Sequence, residues 1–276
     1  MQFERHEFNT EFQWQGAQRP LRRLTEAHAR SWDDHGFFVL EQALDAAECQ
    51  TLIDAIAPFE KAGEEFLRSR GGKVFIARAD EITFTTNLAA NAPAVRQFVT
   101  SRVMQDLCFD LLGPDVRLYW DMAVYKKPGV KEPFPWHQDN GYSYVDPQQY
   151  VTCWVALTDA TPENGCPRVV PGAHKQGTYR HQLTPLGFVC TDEEPDDVVT
   201  VPAKAGDIVV MSSLAPHATG PNLTSEVRKA FIAEYVPDGA HSMSRNPQGG
   251  VVRTRCDLDR NLVILKDGRP PVDAAA

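Results

Sequence analysis

The chain has 276 residues, 42% of them apolar and 24% charged, ordinary values for a globular protein long enough to bury a substantial core. Its 28 basic and 37 acidic residues leave a net charge of −9, and its longest basic clusters are pairs, Arg22-Arg23 and Lys126-Lys127, which excludes a protein built mainly to bind nucleic acid. With no apolar run of the ~20 residues a spanning helix needs, no signal-like N-terminus and no C-x-x-C pair among six cysteines, the chain reads as a soluble cytoplasmic protein with reduced thiols and no membrane partner.

Helical signals come first. In LTEAHARSWDDHG (24–36) Thr25 is the starting residue, Ala27 and Trp32 lie inside, and Gly36 is the stop. GFFVLEQAL (36–44) is a short apolar strand. DAAECQTLIDAIAPFEKAG (45–63) opens on Asp45 with Glu48 three places on, carries Leu52, Ile53 and Ile56 at helical spacing, and has Gly63 as its expected end. KVFIARADEITFTT (73–86) follows, and taken alone its Arg78 reads as a solvated arginine. PAVRQFVTSRVMQDLCFDLLG (93–113) predicts one more helix, with Val95, Phe98, Val99, Val103, Leu107 and Leu111 on one stripe and Gly113 at its end.

After residue 114 the rhythm changes. Short β-branched and aromatic runs alternate with Gly, Pro and Asn turns: VRLYWDMAVYKKPG, YVTCWVALTDATPENG, CPRVVPGAH, DVVTVPAKAGDIVVMSS and VRKAFIAEYVP. Such spacing predicts an antiparallel sandwich or barrel. With no linker visible, residues 1–276 form one expected domain, mainly β with flanking helices: a helical buttress over roughly 22–112 and a β core over roughly 115–240. The Ala-rich tail is expected to fray.

Within PWHQDNGYSYV (135–145), His137-x-Asp139 is either two-thirds of a metal site or a polar loop. With 8 His and 37 acidic residues in the chain, chance alone supplies about one such triplet, and there is one. The decision rests on what lies elsewhere. GDIVVMSSLAPHATGPN ends on His217, and Arg228 opens the next strand eleven residues later, close enough in a hairpin to meet across neighbouring strands. Two histidines and a carboxylate are the facial ligand set of non-haem Fe(II). A nearby guanidinium suits the far carboxylate of a diacid co-substrate. His174 is a rival third ligand, but it follows a Pro-Gly turn and has no arginine at useful spacing. His6, His28, His35, His181 and His241 read as surface or satisfied structural residues.

His137-x-Asp139, the following ATPENGCPRVVPGAH, the preceding YKKPG and PHATGPN…Arg228, in this order and spacing, resemble the phytanoyl-CoA dioxygenase family of Fe(II)/2-oxoglutarate oxygenases. The resemblance covers roughly residues 30–240 and is strongest over 119–236. It implies a double-stranded β-helix (a cupin-like jelly roll) that takes Fe(II), 2-oxoglutarate and O2. It implies that His137, Asp139 and His217 ligate iron and that Arg228 and Thr219 hold the distal carboxylate of 2-oxoglutarate. Trp154 would line the co-substrate pocket, although its alternation with Val151, Cys153 and Val155 suits plain core packing as well. An aspartate at 139 groups the chain with oxygenating relatives rather than with halogenases, which carry alanine or glycine there. Tyr125 and Tyr142, flanking the loop, either face substrate or pack. In the family the elements ahead of the barrel help close the pocket, so the resemblance implies that residues 73–86 lie near its mouth, where Arg78 either meets an anionic substrate group or is simply solvated.

The expected reaction is hydroxylation of an aliphatic carbon in a small organic substrate, with succinate and CO2 released. Two rivals come from other classes. One is a non-catalytic jelly-roll metabolite-binding protein with a vestigial metal site, which would not need all four of His137, Asp139, His217 and Arg228. The other is a zinc hydrolase with the same ligands, for which no H-E-x-x-H glutamate is present.

Overall fold

Thr25 and Asp45 both act as the sequence predicts. Thr25 Oγ1 accepts the His28 amide at 3.2 Å and starts α1 (Glu26–His35), which ends at Gly36 in the left-handed region, φ 82°. Asp45 and Glu48 close a reciprocal capping box, 2.8 Å each way, at the head of α2 (Ala46–Ser69). α2 does not stop at Gly63. Its buried stripe of Cys49, Leu52 and Ile56 continues to Leu67, and the helix ends before Gly71-Gly72, φ 81° and 86°. After α3 (Leu88–Asn91), the helix expected over 93–112 is two: α4 (Pro93–Val99) and α5 (Arg102–Leu112). Thr100 Oγ1 donates to the Arg96 carbonyl at 2.8 Å, and Ser101 turns extended. At the break Gln105 Nε2 donates to the Thr100 carbonyl at 2.7 Å, so a side chain takes a carbonyl that a continuing helix would give to a backbone amide.

The structure is a computed structural model describing residues 3–271; the Ala-rich tail lies outside the described residues. Its strands are, in chain order, β1 (Phe37–Leu40), β2 (Lys73–Val74), β3 (Ala77–Arg78), β4 (Ile82–Thr86), β5 (Val116–Lys126), β6 (Phe134–His137), β7 (Tyr144–Asp146), β8 (Val151–Ala156), β9 (Pro167–Val169), β10 (Gln182–Thr184), β11 (Gly187–Val189), β12 (Val199–Thr200), β13 (Ile208–Ser212), β14 (His217–Thr219), β15 (Arg228–Pro237), β16 (His241–Arg245), β17 (Val251–Arg255) and β18 (Val263–Leu265). The larger sheet runs β1-β13-β8-β15-β5-β4-β3-β2, with β18 also on β5; the smaller runs β12-β9-β14-β6. Antiparallel pairing throughout and a shared cavity between the two sheets make this the jelly roll. The β core is wider than 115–240: β1 to β4 join from the helical half, and β18 from beyond residue 240.

Period-two alternation divides each central strand between two environments. On β8, Val151, Cys153 and Val155 pack into the core beneath the helices, while Thr152 and Trp154 face the cavity. On β15, Phe231, Ala233 and Tyr235 take the helix side, and Arg228, Ile232 and Glu234 the cavity side. β5 changes sides midway. Glu234 pairs with Trp120 and Tyr235 with Leu118, so Tyr119 is the extra residue of a bulge. Leu118 and Ala123 therefore both reach the helix-side core, while Trp120, Met122 and Val124 line the cavity. Among the described residues no helix is long and apolar enough to cross a membrane.

Candidate active site

Strand register brings the two histidines together. His137 closes β6, His217 opens β14, and the two are Cα partners in the smaller sheet, ring centroids 4.2 Å apart. Asp139 opens the short turn after β6, and its Oδ1 lies 3.8 Å from His137 Nε2 and 3.6 Å from His217 Nε2. The three ligand-type atoms sit within 4.8 Å of one another, the only such cluster among the described residues.

Each member is oriented by a bond on its far side. His137 Nδ1 donates to the Pro135 carbonyl at 2.8 Å and His217 Nδ1 to the Ala215 carbonyl at 3.0 Å, which leaves both Nε2 lone pairs aimed at the cluster. Burial, with His217 beside it, pushes the His137 pKa well down, so the ring is neutral and fit to ligate. Thr152 Oγ1 donates to Asp139 Oδ2 at 2.5 Å and leaves Oδ1 free. The intervening Gln138 is strapped down: its amide donates to His181 Nε2 at 2.8 Å, and its side chain donates to the Gly177 and Leu214 carbonyls and accepts from the Tyr179 amide. His181 is thus a satisfied structural residue, and burial lowers its pKa to about 4.

Arg228 reaches the cavity by a route the spacing did not predict. β14 and β15 lie in different sheets, so the eleven residues from His217 cross the sandwich, and the guanidinium faces the histidines across the cavity instead of along a hairpin. Arg228 is fully buried, and its Nε and Nη1 have no hydrogen-bond partner among the described residues. Burial draws its pKa down to about 10, still a cation at neutral pH. Trp154 packs 5.3 Å from it, and Thr219 lies in the same lining. Lys126, the β5 register partner of Arg228, is a second buried cation; it donates to Thr219 Oγ1 at 3.3 Å and to the Gly220 carbonyl at 2.6 Å. Burial and then Arg228 lower its pKa to about 7. No ion pair among the described residues involves Arg228 or Lys126. A desolvated guanidinium with two unsatisfied N–H groups, beside an amine that burial leaves about half-charged at neutral pH, is costly unless an anion meets it. That vacancy in charge fits a carboxylate from a diacid, and the His-Asp-His donor set fits a divalent iron.

The remaining expectations divide. Tyr142 lines the cavity edge-on to His137, ring centroids 5.4 Å apart. Tyr125 does not: it sits past the β5 bulge on the helix-side core. Arg78 is also outside the cavity lining and is shared between Glu81 and Glu132. His174 lies apart, packed edge-on against Trp14 at 4.3 Å. Thr152, Lys126 and Glu234 were missed. Glu234 lines the cavity, with its carboxyl pushed well up by burial and then by Asp139. Counting in twos from Arg228 along β15 would have placed it there, and counting back from Trp154 would have found Thr152.

A family profile described as phytanoyl-CoA dioxygenase matches residues 32–230. Methylphosphonate hydroxylase from Gimesia maris is 32% identical over 223 residues, 77% of this chain and 80% of that one. Phytanoyl-CoA dioxygenase from Arabidopsis thaliana is 34% identical over 149 residues, covering 52% and 53%. Among solved structures, the 2-oxoglutarate-dependent carbocyclase of nogalamycin biosynthesis superposes with TM-score 0.70 at 22% identity over 88% of this chain and 97% of that one, a likeness of fold.

Proposed function

Since the chain belongs to the phytanoyl-CoA dioxygenase family, and is therefore an Fe(II)/2-oxoglutarate-dependent dioxygenase, we propose that it hydroxylates an aliphatic carbon of a small organic substrate. His137, Asp139 and His217 would hold the iron, and Arg228, aided by Thr219 and Lys126, the distal carboxylate of 2-oxoglutarate. The observation that carries this reading is the unpartnered, fully buried Arg228 guanidinium lining the same cavity as the His-Asp-His cluster.

Iron and 2-oxoglutarate, when bound, supply oxidative decarboxylation to succinate and CO2 coupled to insertion of an oxygen atom from O2 into a C–H bond. The chain's residues set the stage. His137 and His217 keep their Nδ1 protons on backbone carbonyls, so neither ring turns away from the metal position. Thr152 fixes which Asp139 oxygen ligates. Arg228 and Lys126 meet a dianion in a region of low dielectric, where charge pairing is worth far more than in water. Trp154, Met211 and Ile232 give the lining beside these groups an apolar face.

Two constructive tests apply. Anaerobic titration with Fe(II) and 2-oxoglutarate should raise the weak visible charge-transfer band of a keto-acid chelate; its absence in folded protein favours the binding-protein alternative. Release of CO2 from labelled 2-oxoglutarate separates oxygenase from hydrolase. Asp139→Ala should abolish turnover and weaken iron binding, whereas Arg228→Ala should chiefly raise the apparent KM for 2-oxoglutarate. Full activity in either variant sinks the assignment.

A further inference from the structure

The cavity volume is about 500 Å3, inside the ~300–1,000 Å3 range of sites that enclose a drug-sized ligand. Away from the metal position its wall is hydrocarbon: Phe66, Leu67, Val74, Ile76, Phe84 and Phe134 come from α2, the β2–β3 turn, β4 and β6. Arg228 is the only lysine or arginine among the lining residues, and Asp139 and Glu234 are the only acids. With Arg228 committed to the co-substrate, no cation of the wall is left to balance an anionic substrate; Asp139 belongs to the metal cluster, and burial favours the neutral form of Glu234.

The exposed part of the lining has the same character: Phe66 is 50% exposed, Val74 40% and Phe75 53%. Phe75 is held at φ 52°, a conformation unfavourable for a bulky residue that persists only where the surroundings impose it. From Phe75 a chain of rings leads inward: Phe188 at 6.4 Å, then Tyr142 at 5.2 Å, then His137 at 5.4 Å. Nearby guanidiniums are already matched, Arg68 by Glu64 and Asp80, Arg78 by Glu81 and Glu132. Arg70 stacks over Phe66, and Lys73 donates to the Pro185 carbonyl.

We propose that the primary substrate is an uncharged, hydrocarbon-rich molecule that enters past Phe75 and Tyr142, whose rings Phe188 backs, and lies in the apolar chamber lined by α2 and β4. The inference rests on the oxygenase reading for the reaction but not for the binding. Desolvating such a molecule is favourable in proportion to the apolar surface removed from water, while a phosphonate or carboxylate would lose its hydration without a partner.

The test uses the full chain and N-phenyl-1-naphthylamine, a neutral probe that brightens in apolar sites. Saturable binding should be displaced by farnesol at micromolar concentration and unaffected by millimolar methylphosphonate. Phe75→Ser, a change at an exposed position checked by circular dichroism, should weaken probe binding by about tenfold, as loss of an aromatic anchor does. Displacement by methylphosphonate, palmitoyl-CoA competing more tightly than farnesol, or unchanged affinity in Phe75→Ser would overturn the proposal. The Fe(II)/2-oxoglutarate band, measured separately on the wild type, keeps the two readings apart. If the band forms but the probe does not bind, the substrate inference alone fails; if the probe binds and no band forms, the oxygenase assignment fails.

Discussion

Thr152 and Lys126 do their work through other residues, so their effects should be separable from simple loss of a ligand. Thr152 holds the Asp139 oxygen that does not face the histidines. Thr152→Val keeps the shape and removes the donor, so iron affinity should fall by about 10–100-fold, the usual effect of losing a bond behind a metal ligand. Iron titration followed by the chelate band would show it; unchanged affinity would mean Asp139 is held by its loop alone. Lys126 carries a different signature. Its pKa of about 7 is set mainly by burial, and a dianion arriving beside it favours the charged form. Above pH 7 binding must therefore take up a proton, and 2-oxoglutarate affinity should weaken by up to about tenfold per pH unit, the ceiling for one linked proton. Lys126→Met should bind more weakly at pH 7 and lose that slope. Calorimetry on Mn(II)-loaded protein, in buffers of different ionisation enthalpy, counts the proton directly.

Among the elements, the turn after β6 is the one whose packing decides the site. Asp139–Gly141 forms a single 3-10 turn, and His181 lies against it, accepting the Gln138 amide and donating from Nδ1 to the Tyr179 carbonyl at 2.9 Å. A Cβ at Gly141 would overlap the His181 ring, which is why this position takes glycine without needing a left-handed φ. Gly141→Ala must push the imidazole off the turn and break the Gln138 bond, a cost of ~1–3 kcal/mol for the buried amide left unpaired. The expected result is a lower Tm together with weaker iron binding, even though no ligand has changed. A drop in Tm with iron affinity intact would show that the ligand geometry does not depend on this strap. The β5 bulge has a similar local logic. One extra residue at Tyr119 turns Trp120, Met122 and Val124 into the cavity and sends Tyr125 to the opposite side.

Across the whole molecule, the features legible in the sequence were those carried by local pattern or by residue type: the helix starts at Thr25 and Asp45, the change from helical to strand rhythm after residue 114, and the His-x-Asp, His and Arg of the candidate site. What escaped depended on tertiary context. The passage of α2 through Gly63 and the break at Thr100-Ser101 are settled by packing and side-chain bonds, and of the two alternatives open for Tyr125 the β5 bulge, which inverts strand parity, selects packing. Histidine burial is tertiary in the same way, and it has a global consequence. His174 and His181 are both pushed down to about 4, mainly by burial, against an ordinary value of 6.5. Their depressed pKa values mean that the folded state binds these protons less tightly than the unfolded chain. The stability they permit is complete above pH 6.5 and is lost as pH falls through 4, at a limit on the order of 3 kcal/mol per group. His174 sits where Gly36 leaves no room for a Cβ and where Trp14 closes over it, so its charge has nowhere to go without opening the α1 end of the fold. Thermal melting of the metal-free protein should therefore show Tm falling steeply between pH 6.5 and 4. His174→Phe, which fills the same space without titrating, should flatten that descent while leaving Tm at pH 7.5 within a few degrees of the parent. A parent protein whose Tm is level across this window would mean that these rings take up protons without cost, contrary to their packing.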